Sequence, residues 1–258
     1  MADSAKAGST LAEAGSNSQE ADAEQALSDS TLGTHVEPLS ADEEAAFALL
    51  RTKARGGSKA DQLRYADSLA VRFIRKGRFD SALVYRDKAA ALEPSEGRLF
   101  EAGEAAYFAY SVAANPQKQA ALAAKAQDRY NAVLKKNPER LDAKTHLALT
   151  YVSGPTPMQG IALLRQVIAK DPKNQEALYQ LGILSMQSAQ YDKAVARFQE
   201  LLKIYPKDTR ARFYLGLAYK ELGQNDKARQ ELELVRQTDT DPAVQATVRD
   251  YLAELKTN

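Results

Sequence analysis

Two histidines, no cysteine and many carboxylates bound what this chain can do by direct chemistry. Without a thiol there is no disulfide, thiolate zinc site, iron–sulfur ligation or cysteine nucleophile. His35 falls in an acidic N-terminal stretch and His146 in a helical one; both read as structural or solvated groups rather than ligands. The carboxylates lie mostly beside Lys or Arg, the pattern of ordinary solvated charge. No Gly-rich phosphate loop, G-x-S-x-G elbow or H-E-x-x-H pair occurs. The expectation is a protein that is not an enzyme and holds no metal and no cofactor.

What remains is the chemistry of a partner surface, and charge gives its first outline. The net charge of +1 hides an asymmetry: residues 1–50 hold ten acidic side chains and only Lys6 as a base, so the rest of the chain carries a basic excess. The basic residues gather in LKKNPERLDAK (134–144) and KIYPKDTRAR (203–212). These support an alternative reading, a nucleic-acid-binding helical-repeat protein. The stretches lack Gly-rich or aromatic interleaving, however, and solvated turns account for them better.

The elements that must position such a surface are helices. The chain has 258 residues, 44% hydrophobic and 7% aromatic with no Trp, and is rich in Ala and Leu with few β-branched runs. No apolar run approaches the roughly 18–20 residues of a membrane span, and the N-terminus lacks a signal peptide's basic-then-apolar layout. As written, the chain is expected to be cytoplasmic.

Residues 1–40 are Ala, Ser, Gly, Glu and Asp with isolated leucines, and read as a disordered acidic tail. Residues 41–58 read as an N-terminal helix and linker, with Ser40 and Glu43 spaced as a capping box and Gly56–Gly57 as the stop. From there the sequence repeats itself. LDAKTHLALTYVSGPTPMQGIALLRQVIAKDPKN (141–174), QEALYQLGILSMQSAQYDKAVARFQELLKIYPKD (175–208) and TRARFYLGLAYKELGQNDKARQELELVRQTDTDP (209–242) are each 34 residues long. Small residues recur at Ala148, Gly182 and Gly216, and large ones at Leu164, Phe198 and Leu232. Residues 63–96 fit the same pattern except at Arg86, where Tyr85 beside it is expected to serve. Residues 97–140 read as the same helix pair with both helices lengthened and Asn115-Pro116 at the turn. Residues 243–258 read as a terminal capping helix, started by Asp241 and Pro242.

Inside this order, YVSGPTPMQG (151–160) places two prolines and two glycines at the turn of the third repeat. Thr156 as N-cap and Pro157 at the first helical position make it a stiffened turn rather than a binding loop.

The pattern resembles the tetratricopeptide repeat, in which two antiparallel helices meet through small residues and a proline closes each repeat. The resemblance implies an all-α, right-handed α-solenoid of helix-turn-helix repeats with capping helices, five repeats filling residues 59–242. It also implies a non-catalytic scaffold or adaptor that holds a peptide or helix of a partner protein in a concave groove. In that family the first helix of each repeat lines the groove through its second, fifth, ninth, twelfth and thirteenth positions. Carried onto this chain, the partner-binding residues are Val71 and Arg75, then Phe100 and Tyr107, then Leu149. The fourth repeat supplies Tyr179, Ile183 and Met186, and the fifth Phe213, Leu217 and Lys220. Family members that grip the carboxylate ends of chaperone tails use Lys and Asn where this chain has Asp67 and Val71, so that clamp is absent.

Packing between repeats could bury part of this apolar stripe, and a further expectation puts segment 36–54 in its own groove through Val36, Leu39, Phe47 and Leu50. The same groove would accept a second copy of the chain. PMQGIALLRQVIAKDPKNQEALYQLG (157–182) is also similar, in a match over about the last hundred residues, to a group of bacterial repeat proteins tethered by an N-terminal membrane segment and held in the cell envelope. That resemblance implies the envelope or periplasm as an alternative location.

Overall fold

A computed structural model describes residues 38–257. The expected tail, with His35 and Val36, therefore lies outside the described residues except for its last three positions. Among the described residues there are twelve helices and no strand. Helix α1 (Ala41–Arg55) is followed in the chain by α2 (Lys59–Arg75), α3 (Phe79–Leu92), α4 (Glu96–Val112), α5 (Pro116–Lys136), α6 (Leu141–Val152), α7 (Pro157–Lys170), α8 (Gln175–Gln187), α9 (Tyr191–Ile204), α10 (Thr209–Glu221) and α11 (Asn225–Thr238), which fall in turn on the first and second halves of the sequence repeats. Helix α12 (Pro242–Thr257) follows them. The fold is the expected all-α helical-repeat solenoid.

Local chemistry accounts for the helix ends. Glu43 N–H donates to Ser40 Oγ (3.3 Å) and Ser40 N–H to Glu43 Oε2 (3.0 Å), a complete capping box at the start of α1. Lys76, through its hydrogen bond, and the Ser40 N–H hold the Glu43 carboxyl below its usual range, so the box weakens as pH falls through that titration. Ser40→Ala is expected to cost about 1 kcal/mol and to speed amide exchange in the first turn of α1. The lengthened second repeat starts α5 with Asn115 Oδ1 accepting from Lys118 N–H (2.9 Å) and Pro116 in the first turn. Ala243 N–H donates to Asp241 Oδ1 (2.8 Å), with Pro242 as the first residue of α12. Tyr85 does take the place of the missing aromatic: it is buried and stacks on Phe73 at 5.8 Å.

The third repeat is different, and one residue explains it. The first, fourth and fifth repeats turn through a left-handed residue at one equivalent position, Gly77 (φ 69°), Ala189 (φ 55°) and Gly223 (φ 70°). In the third repeat that position is Pro155, whose ring fixes φ near −65°, so the same turn cannot form. Thr156 sits at the N-cap of α7, but with φ −126° and ψ 58° its side chain makes no capping bond, contrary to expectation. The chain divides at this point into two compact units, one ending at Pro155 and one beginning at Thr156.

Each unit has its own core. In the N-terminal unit Phe47, Leu69, Phe73 and Tyr85 are buried in one cluster with Ala66, Ala70 and Ala82. In the C-terminal unit Leu178, Phe198, Leu215, Leu232 and Val248 form another.

Candidate functional site

The first helices of successive repeats bring the groove positions together. In the N-terminal unit these are α2, α4 and α6, of which α4 and α6 pack side by side. Three groove positions here keep open apolar side chains: Val71 and Ile74 are each 37% exposed and Phe108 is 45% exposed. Phe108 stacks on Phe79 at 5.7 Å, which holds its ring in place on the surface. Arg75 is exposed beside them.

Phe100 and Tyr107 are half-buried and belong to a polar–aromatic cluster that the sequence did not reveal. His146 of α6 lies between them, stacked on Phe100 (5.8 Å) and on Tyr107 (6.2 Å). Its Nδ1 is 2.5 Å from Glu104 Oε1, which also accepts from the Tyr130 hydroxyl at 2.5 Å. Burial first, and then the Glu104 charge, push the Tyr130 phenol far above its ordinary value, so it stays a donor. His146 is thus tied to a carboxylate 42 residues upstream, which no helical spacing would announce.

Leu149 departs from expectation. It is 7% exposed, and α6 buries Thr145, Leu147, Ala148, Leu149 and Thr150 together, more than one stripe of the helix. At that position the helix offers a partner no open apolar side chain.

In the C-terminal unit α8, α10 and α12 carry the equivalent face. Tyr179, Ile183, Met186 and Phe213 are partly buried and pack against the core, and Leu217 is half-buried. Phe213 meets Tyr251 of α12 edge-on at 5.8 Å. Packing between repeats therefore uses much of this stripe.

Most groove charges are also spent between repeats. Asp67 of α2 accepts from Arg98 of α4 (2.9 Å) and Arg86 of α3 (3.0 Å); Glu96 of α4 accepts from Arg140 (3.0 Å), whose guanidinium lies 4.0 Å from the Phe100 ring. Arg210 lies over Tyr179 at 4.7 Å and 3.8 Å from Glu176. Lys220 donates to Glu254 (2.6 Å), which raises the Lys220 ammonium above its ordinary value, and covers Tyr251 at 5.0 Å. These pairs lock neighbouring helices together. They also engage Arg140, Arg210 and Arg212, the arginines of the basic stretches that suggested nucleic acid; Arg212 donates to Glu231 at 2.8 Å. Among the described residues no three His, Asp or Glu side chains converge as metal ligands would.

A pocket of about 760 Å³ opens between α1 and α2. Its walls include Phe47 and Ala46 of α1 and Val71, Arg72 and Arg75 of α2. Helix α1 packs on this unit through Phe47, which is 3% exposed with its ring 4.5 Å from Phe73.

Comparison with known proteins agrees with this geometry. Residues 159–212 and 185–250 match the family model for the tetratricopeptide repeat. No curated protein matches the sequence. Among solved structures the chain is similar to TTC0263, a thermophilic TPR protein of Thermus thermophilus, with 18% identity, TM-score 0.57, and coverage of 74% of this chain and 99% of that one. It is also similar to MamA from Desulfovibrio magneticus RS-1, with 20% identity, TM-score 0.54, and coverage of 70% and 96%. At these identities the likeness concerns the fold. No helix among the described residues is long and apolar enough to cross a membrane.

Proposed function

We propose that this tetratricopeptide repeat protein is a non-catalytic adaptor that holds a peptide or helix of another protein against the inner helices of its repeats. The observation that carries this reading is the open apolar surface of the N-terminal unit, where Val71, Ile74 and Phe108 face solvent at groove positions of α2 and α4. Exposed apolar side chains grouped on one face, rimmed by charge, mark partner surfaces. Val71, Ile74 and Phe108 supply anchors, and Arg75 supplies orientation. Tyr179, Ile183, Met186, Phe213 and Leu217 offer a second, shallower contact, since packing already covers much of them.

The test is co-purification from the native cells with intact protein and with a Val71→Ser, Phe108→Ser variant. Both side chains are exposed, so the variant keeps its fold, which circular dichroism checks. A partner recovered with the intact chain is expected to be lost with the variant, its Kd raised about 30-fold or more, as for loss of a central anchor. An unchanged set of partners would move the site away from these helices.

A further inference from the structure

Two cations of α2 have no counter-ion among the described residues. Arg72 and Arg75 are exposed, and neither makes an ion pair there. Their neighbours are engaged: Arg64 with Asp61 at 3.3 Å and Lys76 with Glu43. The same face carries Val71 and Ile74, each 37% exposed, and Val71, Arg72 and Arg75 line the pocket of about 760 Å³ beside α1. Free positive charge next to open apolar surface suits an occupant that is both acidic and apolar.

The chain itself carries such a segment. Residues 1–37 hold seven carboxylates against one lysine, with Leu11, Leu27, Leu32 and Val36 among them. The segment joins the described structure at Pro38, and just beyond it Asp42 and Glu43 form one wall of the pocket. It therefore starts at the edge of the site, and at about 3.3–3.6 Å per extended residue its carboxylates span the distance with length to spare. A short tether holds it there at an effective concentration on the order of millimolar, so weak contacts suffice.

We propose that residues 1–37 dock on the chain's own first repeat, carboxylates against Arg72 and Arg75 and leucines against Val71 and Ile74. The segment then holds this face until a partner displaces it, a consequence that rests on the adaptor reading above.

Because the chain has no cysteine, Ala23→Cys gives one attachment point for a nitroxide label on the full chain. At low salt the amide signals of Ser68, Val71 and Arg72 are expected to be attenuated. Salt near 1 M, where the Debye length falls to about 3 Å, is expected to restore them. So is an Arg72→Gln, Arg75→Gln variant, which alters only exposed side chains. Attenuation that persists in that variant, or its absence at every salt concentration, overturns the proposal. Mixing labelled protein with isotope-labelled wild type tests the source: attenuation across molecules makes a second copy the occupant and also overturns it. None of these outcomes depends on co-purification with the Val71→Ser, Phe108→Ser variant, so the docking and the partner site fail separately.

Discussion

Gly182→Ala is expected to destabilise the C-terminal unit by about 1–3 kcal/mol, the range for overpacking a filled core. A Cβ at Gly182 would stand 2.5 Å from Cε1 and 2.7 Å from Cζ of Phe198. The ring has nowhere to go: Phe198 is fully buried, with Tyr214 stacked at 6.0 Å and Tyr179 tilted against it at 6.2 Å. Helix α8 must therefore move off α9, and contacts along both helices loosen. In a unit of this size each kcal/mol lowers the thermal midpoint by about 4–8 °C. Circular dichroism melting measures the drop, and hydrogen exchange is expected to place it in α8–α11. The third repeat carries Ala148 and Leu164 at the two equivalent positions, so Phe198→Leu added to Gly182→Ala is expected to restore part of the loss. A neutral Gly182→Ala would mean that the two helices do not rely on this close approach.

That contact is an instance of what the sequence makes legible. Repeats write the same local contact several times, so small residues at Gly182 and Gly216 and large ones at Phe198 and Leu232 announce the helix packing before any coordinates. Caps and stops are equally local: Ser40 with Glu43, Asn115 with Pro116 and Asp241 with Pro242 each needed only neighbouring residues. The candidate site was legible as positions but not as surface. Whether a groove side chain is open depends on what the next repeat places over it. Lys220 is neutralised by Glu254 one repeat later, and Phe213 is covered by Tyr251. The Glu104, Tyr130 and His146 cluster joins three helices of two repeats, and the lengthened second repeat shifts its register, so regular spacing gives no warning of it. Pro155 stands in plain view beside Pro157, but its effect shows only against Gly77, Ala189 and Gly223, whose positive φ proline cannot adopt.

Phe47→Ala is expected to cost about 3–5 kcal/mol, the usual range for truncating a buried phenylalanine. Phe47 fills the space over Phe73, with the Arg51 guanidinium 5.9 Å from its ring, and Ala54 at the other end of α1 is fully buried. A detachable groove segment would behave differently, because removing its anchor would free α1 and leave α2 and α3 as stable as before. Hydrogen exchange decides between the two. The amides of α2 and α3 are expected to exchange faster in Phe47→Ala together with those of α1, and α10 and α11 are expected to keep their rates. Faster exchange confined to α1 would make it a displaceable segment after all. The distinction bears on the acidic segment too, since only a fixed α1 keeps Asp42 and Glu43 in the wall of the pocket that Arg72 and Arg75 line, and so gives residues 1–37 a constant point from which to reach them.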